Sequence, residues 1–199
     1  MSPHASSSPF AAGSKKFGMW LFIASDALTF ATFLVSYTYL RIANPDWPLP
    51  FAFSPGVVFA TVMTLVLLTS SLTMVAAVHA MREGQSARAT RWLLATMAGG
   101  TAFIALHLTE WAHLMRDEHV LPWTNSWGQP LFGATFFTLT GLHMLHVAAG
   151  VIYIATIAAG MSRAKWSEED VEVCGLYWHF VDLVWMFIFP LVYLMSVKP

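Results

Sequence analysis

Five long apolar runs constrain this chain more than any other feature. They fall at Phe17–Leu40, Gly56–Ala80, Trp92–Met115, Leu131–Met161 and Val173–Val197. Each reaches the ~20 residues that an α-helix needs to cross ~30 Å of hydrocarbon. Composition agrees: 57% of the residues are hydrophobic, 11% are charged and the mean hydropathy is +0.60. A soluble domain carries roughly 25% charged residues. A soluble fold would have no means of covering that much continuous apolar helix. The pattern predicts an all-α integral membrane protein, a five-transmembrane-helix bundle forming one domain over residues 15–199. At 1.5 Å per residue the fourth run is about 45 Å long, so it should tilt or project from the membrane. Residues 1–14 are rich in Ser, Ala and Pro and read as a disordered tail. The first apolar run is of full span length and has no clear small-residue cleavage site, so no signal peptide is expected.

Charge sets the expected orientation. The N-terminal side carries Lys15, Lys16, Arg82, Arg88, Arg91, Arg163 and Lys165, against Arg41, Arg116 and Lys198 on the other. Positive charge is retained in the cytoplasm, which predicts a cytoplasmic N-terminus and an external C-terminus. The external loops hold Trp47, Trp123 and Trp127 among prolines, which reads as an interfacial aromatic belt. Glu168, Glu169, Asp170 and Glu172 would open the last helix, where negative charge suits the N-terminal dipole. A net charge of −1 offers no basic patch for nucleic acid, and a single cysteine, Cys174, forbids an internal disulfide or a Cys-rich metal site.

An ionisable group in hydrocarbon costs about 2.5–3.5 kcal/mol even on the forgiving insertion scale, so each needs a partner. Three carboxylates lie inside the runs: Asp26, Glu110 and Asp182. His79, His107, His143, His146 and His179 lie at or near them, and His113 lies closer to an edge. Asp26 and Asp182 are each about 14 Å in from the N-terminal side and would meet if their helices were neighbours. His107 and Glu110, Glu110 and His113, His143 and His146, and His179 and Asp182 are spaced i, i+3, so each pair should build one polar patch on a helix face. Gly133, Gly141 and Gly150 would let another helix approach the fourth. Four readings fit these groups. One is b-type haem held by His143 or His146 facing His107 or His179. A second is a metal site using Glu110-x-x-His113, although the carboxylate-bridged di-iron pattern needs that motif twice. The others are an ion or proton pathway, and structural pairs between packed helices. Unequal spans without a repeat argue against a transporter.

Four stretches bear a specific resemblance. Tyr177-Trp178-His179-Phe180-Val181-Asp182-Leu183-Val184-Trp185 resembles the signature of the haem–copper oxidase subunit III family, the cytochrome c oxidase subunit 3-like proteins. Thr135 to Val147, Glu110-Trp111-x-His113-Leu114, and Gly18 to Asp26 resemble that family's motifs in the same order, so the likeness runs from Lys16 to about Met195. The resemblance implies the shortened five-helix bacterial form, the family core lacking its two N-terminal helices. Asp26 stands where mitochondrial-like members carry Glu, as in some quinol oxidases, while Tyr177-Trp178 looks more like the cytochrome c branch. His107 stands where Gln is usual, Thr109 where an aromatic is usual, and Met144 where Gly is usual.

The resemblance further implies a subunit with no catalytic, cofactor-binding or metal residues of its own. Haem and copper would reside in partner subunits. The chain would pack directly on subunit I, with subunit II in the same complex, and phospholipid would occupy a cleft between helices. The complex would reduce O2 to water in a bacterial inner membrane, with this chain supporting proton uptake and sustained turnover. A cytochrome c oxidase is the first expectation and a quinol oxidase the alternative; an independent haem-binding electron carrier is the alternative of a different class. Asp26, His107, Glu110, His143, His146, His179 and Asp182 are the candidate lipid, partner or proton-uptake residues.

Overall fold

The computed structural model describes residues 14–124, 129–163 and 165–198. Most of the expected N-terminal tail and Trp127 lie outside the described residues, and Ser14 already belongs to the first helix. Five long helices form the bundle: α1 (Ser14–Ala43), α2 (Val58–Arg82), α3 (Ser86–Arg116), α4 (Pro130–Met161) and α5 (Glu168–Ile188). Each apolar run centres on one of them, although the second begins two residues before α2 and the fifth continues past Ile188 to Val197; the five helical spans are long and apolar enough to cross a membrane. The chain is therefore a multi-pass membrane protein. Helices α1 and α3 outrun their apolar stretches at both ends because the backbone keeps its hydrogen bonds into the headgroup layer, where Lys and Arg are tolerated. The described residues hold isolated bridges but no longer strand pairing.

Local chemistry marks the ends. The α2–α3 turn closes as a Schellman motif: Gln85 N–H donates to Ala80 O at 2.9 Å and Gly84 N–H to Met81 O at 3.0 Å. Gly84 takes φ +74°, which the missing Cβ permits. Pro130 opens α4, where its absent N–H is not missed. Ser167 and Asp170 form a reciprocal capping box at the start of α5, as the acidic run there suggested. Pro190 ends regular α5; the chain continues through a wide turn at Phe189–Tyr193 and a tight one at Leu194–Ser196.

Helix α5 is the hub. It packs on α1, α2 and α4, while α2 packs on α3 and α3 on α4. Half of its most apolar stretch is buried, against 6% for α1. Two tryptophans one heptad apart tie it to α2: Trp178 Nε1–H donates to Ser70 Oγ at 3.1 Å and Trp185 Nε1–H to Thr64 Oγ1 at 2.9 Å. Gly150 lets α4 close on this seam, since a Cβ there would lie 2.9 Å from the Trp178 ring; Gly141 is similarly near Trp111.

The chain after α1 folds back over one end of the bundle. Phe51 N–H donates to Ser196 O at 3.3 Å, and Lys198 N–H to Phe51 O at 2.9 Å, clipping the C-terminal segment in place. This corrects part of the expected aromatic belt. Trp123 is exposed as a belt residue would be, but Trp47 is buried, packed edge-on to Tyr37 and Phe132.

Candidate functional site

Charge gathers where the N-terminus of α1, the C-terminus of α2 and the N-terminus of α5 meet. Lys15 pairs with Asp170 at 2.6 Å and Lys16 with Glu172 at 2.7 Å. Arg82 reaches Glu172 at 3.1 Å and Glu168 at 3.4 Å. These groups all belong to the end that the Lys/Arg distribution set apart. At the opposite end Tyr37 Oη and Ser196 Oγ share a hydrogen bond of 3.2 Å, and Arg41 donates to Ser196 Oγ and to the Met195 carbonyl.

Between these ends the candidate residues separate into distinct environments. Asp26 of α1 finds neither Asp182 nor His179 as its partner. Its Oδ2 lies 2.9 Å from Nε2 of His146 on α4. His146 Nδ1 is 2.8 Å from the carbonyl oxygen of Leu142. A carbonyl only accepts, so Nδ1 carries a proton and the Nε2···Oδ2 contact is bridged by one more. The pair is largely shielded, with Phe30 edge-on to the imidazole at 5.1 Å and the Tyr177 hydroxyl donating to the His146 carbonyl.

His143, one turn earlier on α4, is fully buried. It stacks on Trp185 at 5.1 Å and meets Phe103 edge-on. His107 of α3 enters the same aromatic enclosure, 5.6 Å from both Phe103 and Trp185. Neither imidazole makes a hydrogen bond among the described residues. His179 Nδ1 and Ser71 Oγ lie 2.7 Å apart on the α2–α5 seam. Asp182 is 4% exposed and its carboxyl makes no hydrogen bond among the described residues, although the Ser71 hydroxyl lies near it. Glu110 Oε2 accepts from the Tyr193 hydroxyl at 2.7 Å.

Of the four i, i+3 pairs, His107–Glu110 and His143–His146 part company, whereas Glu110–His113 share a cavity and His179 and Asp182 both lie at Ser71. Three residues advance a helix by about 300°, so the two side chains diverge by about 60°. On a helix with several neighbours that is enough to send them to different ones: His143 to α3 and α5, His146 to α1. Glu110 and His113 do share a cavity, but among the described residues no three His, Cys, Asp or Glu converge as a metal cage. The sequence reading missed Tyr193, Ser71, Ser70 and Thr64. The seven-residue interval between Trp178 and Trp185 was a usable signal that one face of α5 needs hydroxyl acceptors on a neighbour.

With this geometry in view, the comparisons with known proteins are specific. The family model described as cytochrome c oxidase subunit III matches residues 5–197. Cytochrome c oxidase subunit 3 of Alkalihalophilus pseudofirmus is 34% identical over 189 residues, covering 93% of this chain and 89% of that protein. Its counterpart in Bacillus subtilis is 35% identical, covering 92% and 88%. Quinol oxidase subunit 3 of Bacillus subtilis is 31% identical over 183 residues, covering 90% and 86%.

Proposed function

This chain belongs to the cytochrome c oxidase subunit III family and is a subunit III of a terminal oxidase; on that premise we propose that it is a non-catalytic packing subunit in a bacterial inner membrane, seated on subunit I of a cytochrome c oxidase that also contains subunit II. The match to the family model along almost the whole chain carries this reading. The fate of the polar groups supports it. Asp26, His146, His179 and Glu110 bind residues of neighbouring helices, and His107 and His143 are walled in by Phe103 and Trp185. Such an arrangement joins helices, and the imidazoles most suited to haem are enclosed by side chains on every described side. Haem and copper are accordingly assigned to the partner subunits.

The charge asymmetry supports a cytoplasmic N-terminus and a periplasmic C-terminus. Asp26–His146 and the His179–Ser71–Asp182 neighbourhood then lie within the cytoplasmic half, where they would steady proton delivery to the partner and prolong turnover. The greater identity to the cytochrome c oxidase relatives than to the quinol oxidase relative favours cytochrome c as donor.

The test is O2 consumption by the purified complex with and without this chain, using reduced cytochrome c or a quinol as donor. The initial rate should survive removal with cytochrome c, and activity should decay over many turnovers. Immediate and complete loss in an otherwise intact complex would place part of the catalytic centre on this chain. Turnover with quinol alone would move it to the quinol branch.

A further inference from the structure

Tyr193 is fully buried in the turn that follows α5, and its hydroxyl donates to Glu110 Oε2 at 2.7 Å. Its ring centroid lies 5.9 Å from that of Trp185, which is 1% exposed, so a buried indole and a buried phenol are in packing contact. These are the two side chains that most readily give up a single electron to a strong oxidant while remaining in a core. They differ in what receives their protons. The Trp185 N–H meets Thr64 Oγ1, a hydroxyl that itself donates to the Ala60 carbonyl. A hydroxyl is a poor base. The Tyr193 O–H meets a carboxyl oxygen, which as carboxylate is a base one short hydrogen bond away.

That difference gives the pair a direction. An indole that loses an electron and keeps its proton becomes a cation, and an unpaired cation is costly in an apolar enclosure. A phenol that loses an electron becomes a strong acid. With the proton passed to Glu110, what remains is a neutral tyrosyl radical beside a neutral carboxylic acid, and one buried charge has been removed rather than added. An oxidising equivalent reaching Trp185 therefore moves on to Tyr193 and rests there. Glu110 also lines a cavity of about 390 Å³ with His113, Glu118 and Lys198, so the acid that receives the proton has other titratable groups about it. Phe51 stacks on Tyr193 at 4.9 Å, Phe132 follows at 6.4 Å and Trp47 at 5.8 Å, a packed route by which an electron returns from the end of the bundle.

We propose that Trp185, Tyr193 and Glu110 form a one-electron relay that disarms partly reduced oxygen species; the proposal rests on the assignment to an O2-reducing terminal oxidase, which supplies them. Trp185 gives one electron to the oxygen species, which takes any proton it needs from the medium. Tyr193 gives one electron to Trp185, its O–H bond breaks, and an O–H bond forms on Glu110. A one-electron reductant of the ascorbate or thiol class restores Tyr193, which recovers its proton from Glu110. The chain ends each cycle unchanged, and the oxygen species has gained one electron.

The test treats the intact oxidase complex with hydrogen peroxide, reads radicals by electron paramagnetic resonance after freeze-quenching, and maps oxidised residues by peptide mass spectrometry. The wild type should show a tyrosyl signal component that is lost in Tyr193→Phe, and little oxidised Trp185. In Tyr193→Phe the oxidised form of Trp185 should rise severalfold. Glu110→Gln keeps an oxygen that accepts from Tyr193 but offers no base, and should give the same loss of signal and the same rise. Ascorbate should erase the wild-type signal. Trp178 is the internal control: it is as buried as Trp185 and its N–H also meets a hydroxyl, but it lies a heptad further from Tyr193. Its oxidation should stay at the wild-type level in both variants. A tyrosyl signal unchanged by Tyr193→Phe overturns the proposal, as does a wild type without one. A Trp185 map unchanged in Glu110→Gln overturns it too. An equal rise at Trp178 and Trp185 makes the effect one of loosened packing and has the same consequence. O2 uptake by the same samples reports on the subunit assignment separately, so failure of the relay is distinguishable from failure of that reading.

Discussion

Helices α1 and α5 are both apolar, both of spanning length, and each carries a carboxylate about the same number of residues in from the N-terminal side. They are held by opposite means. Helix α5 is gripped by shape: Gly150 admits the Trp178 ring, and the Trp178 and Trp185 N–H groups each meet a hydroxyl of α2. Helix α1 buries only Phe30 and Tyr37. It is fastened at points, by Lys15 and Lys16 at one end, Asp26 in the middle, and Tyr37 and Arg41 at the other. Lipid tails are as apolar as leucine, so hydrophobicity alone does not draw one spanning helix onto another. A helix must either interlock or present polar fasteners.

The largest expected effect tests interlocking. Gly150→Leu should destabilise the purified protein by about 1–3 kcal/mol through overpacking against Trp178. Gly18→Leu on α1 has nothing within 4 Å of the new Cβ and should leave the thermal midpoint unchanged. Similar midpoints for the two variants would remove the distinction between the helices.

An intermediate effect is expected at the central fastener. Asp26→Leu strands the His146 imidazole and should cost about 1–3 kcal/mol. Hydrogen exchange should accelerate in α1 while α5 stays protected. Acceleration spread equally over both would show that α1 is part of the interlocked core. The smallest effect belongs to the terminal pairs. Lys15→Gln with Lys16→Gln should loosen only the first turns of α1. The difference from wild type should vanish in 1 M salt, where the screening length is about 3 Å. A difference that persists at that salt would mean these pairs are shielded and stronger than their exposure indicates.

The five spans, the charged end of the bundle and the acidic cap of α5 were legible because each is a property of one contiguous segment. Partner choice was not. Asp26 lies 120 positions from His146, and periodicity along one helix carries no information about which neighbour lies across it. Asp26 and Asp182 share a depth, yet depth leaves the direction around the helix axis open. Trp47 was read from its Pro-rich setting as interfacial; the fold buries it against Tyr37 of α1 and Phe132 of α4, residues far from it in helical register. Glu110 was legible as a candidate, but Tyr193, which fixes its orientation, lies in a Pro-distorted turn where regular helical spacing no longer applies.

The Leu142 carbonyl has one more consequence. Because it fixes the proton on Nδ1 of His146, the contact with Asp26 has two limiting forms: imidazolium with carboxylate, or neutral imidazole with carboxylic acid. Both forms have zero net charge. Passing between them moves a proton along a 2.9 Å contact and collapses the ion-pair dipole without placing an uncompensated ion in the bilayer. The fastener that holds the middle of α1 therefore keeps zero net charge in either form, and only its dipole changes.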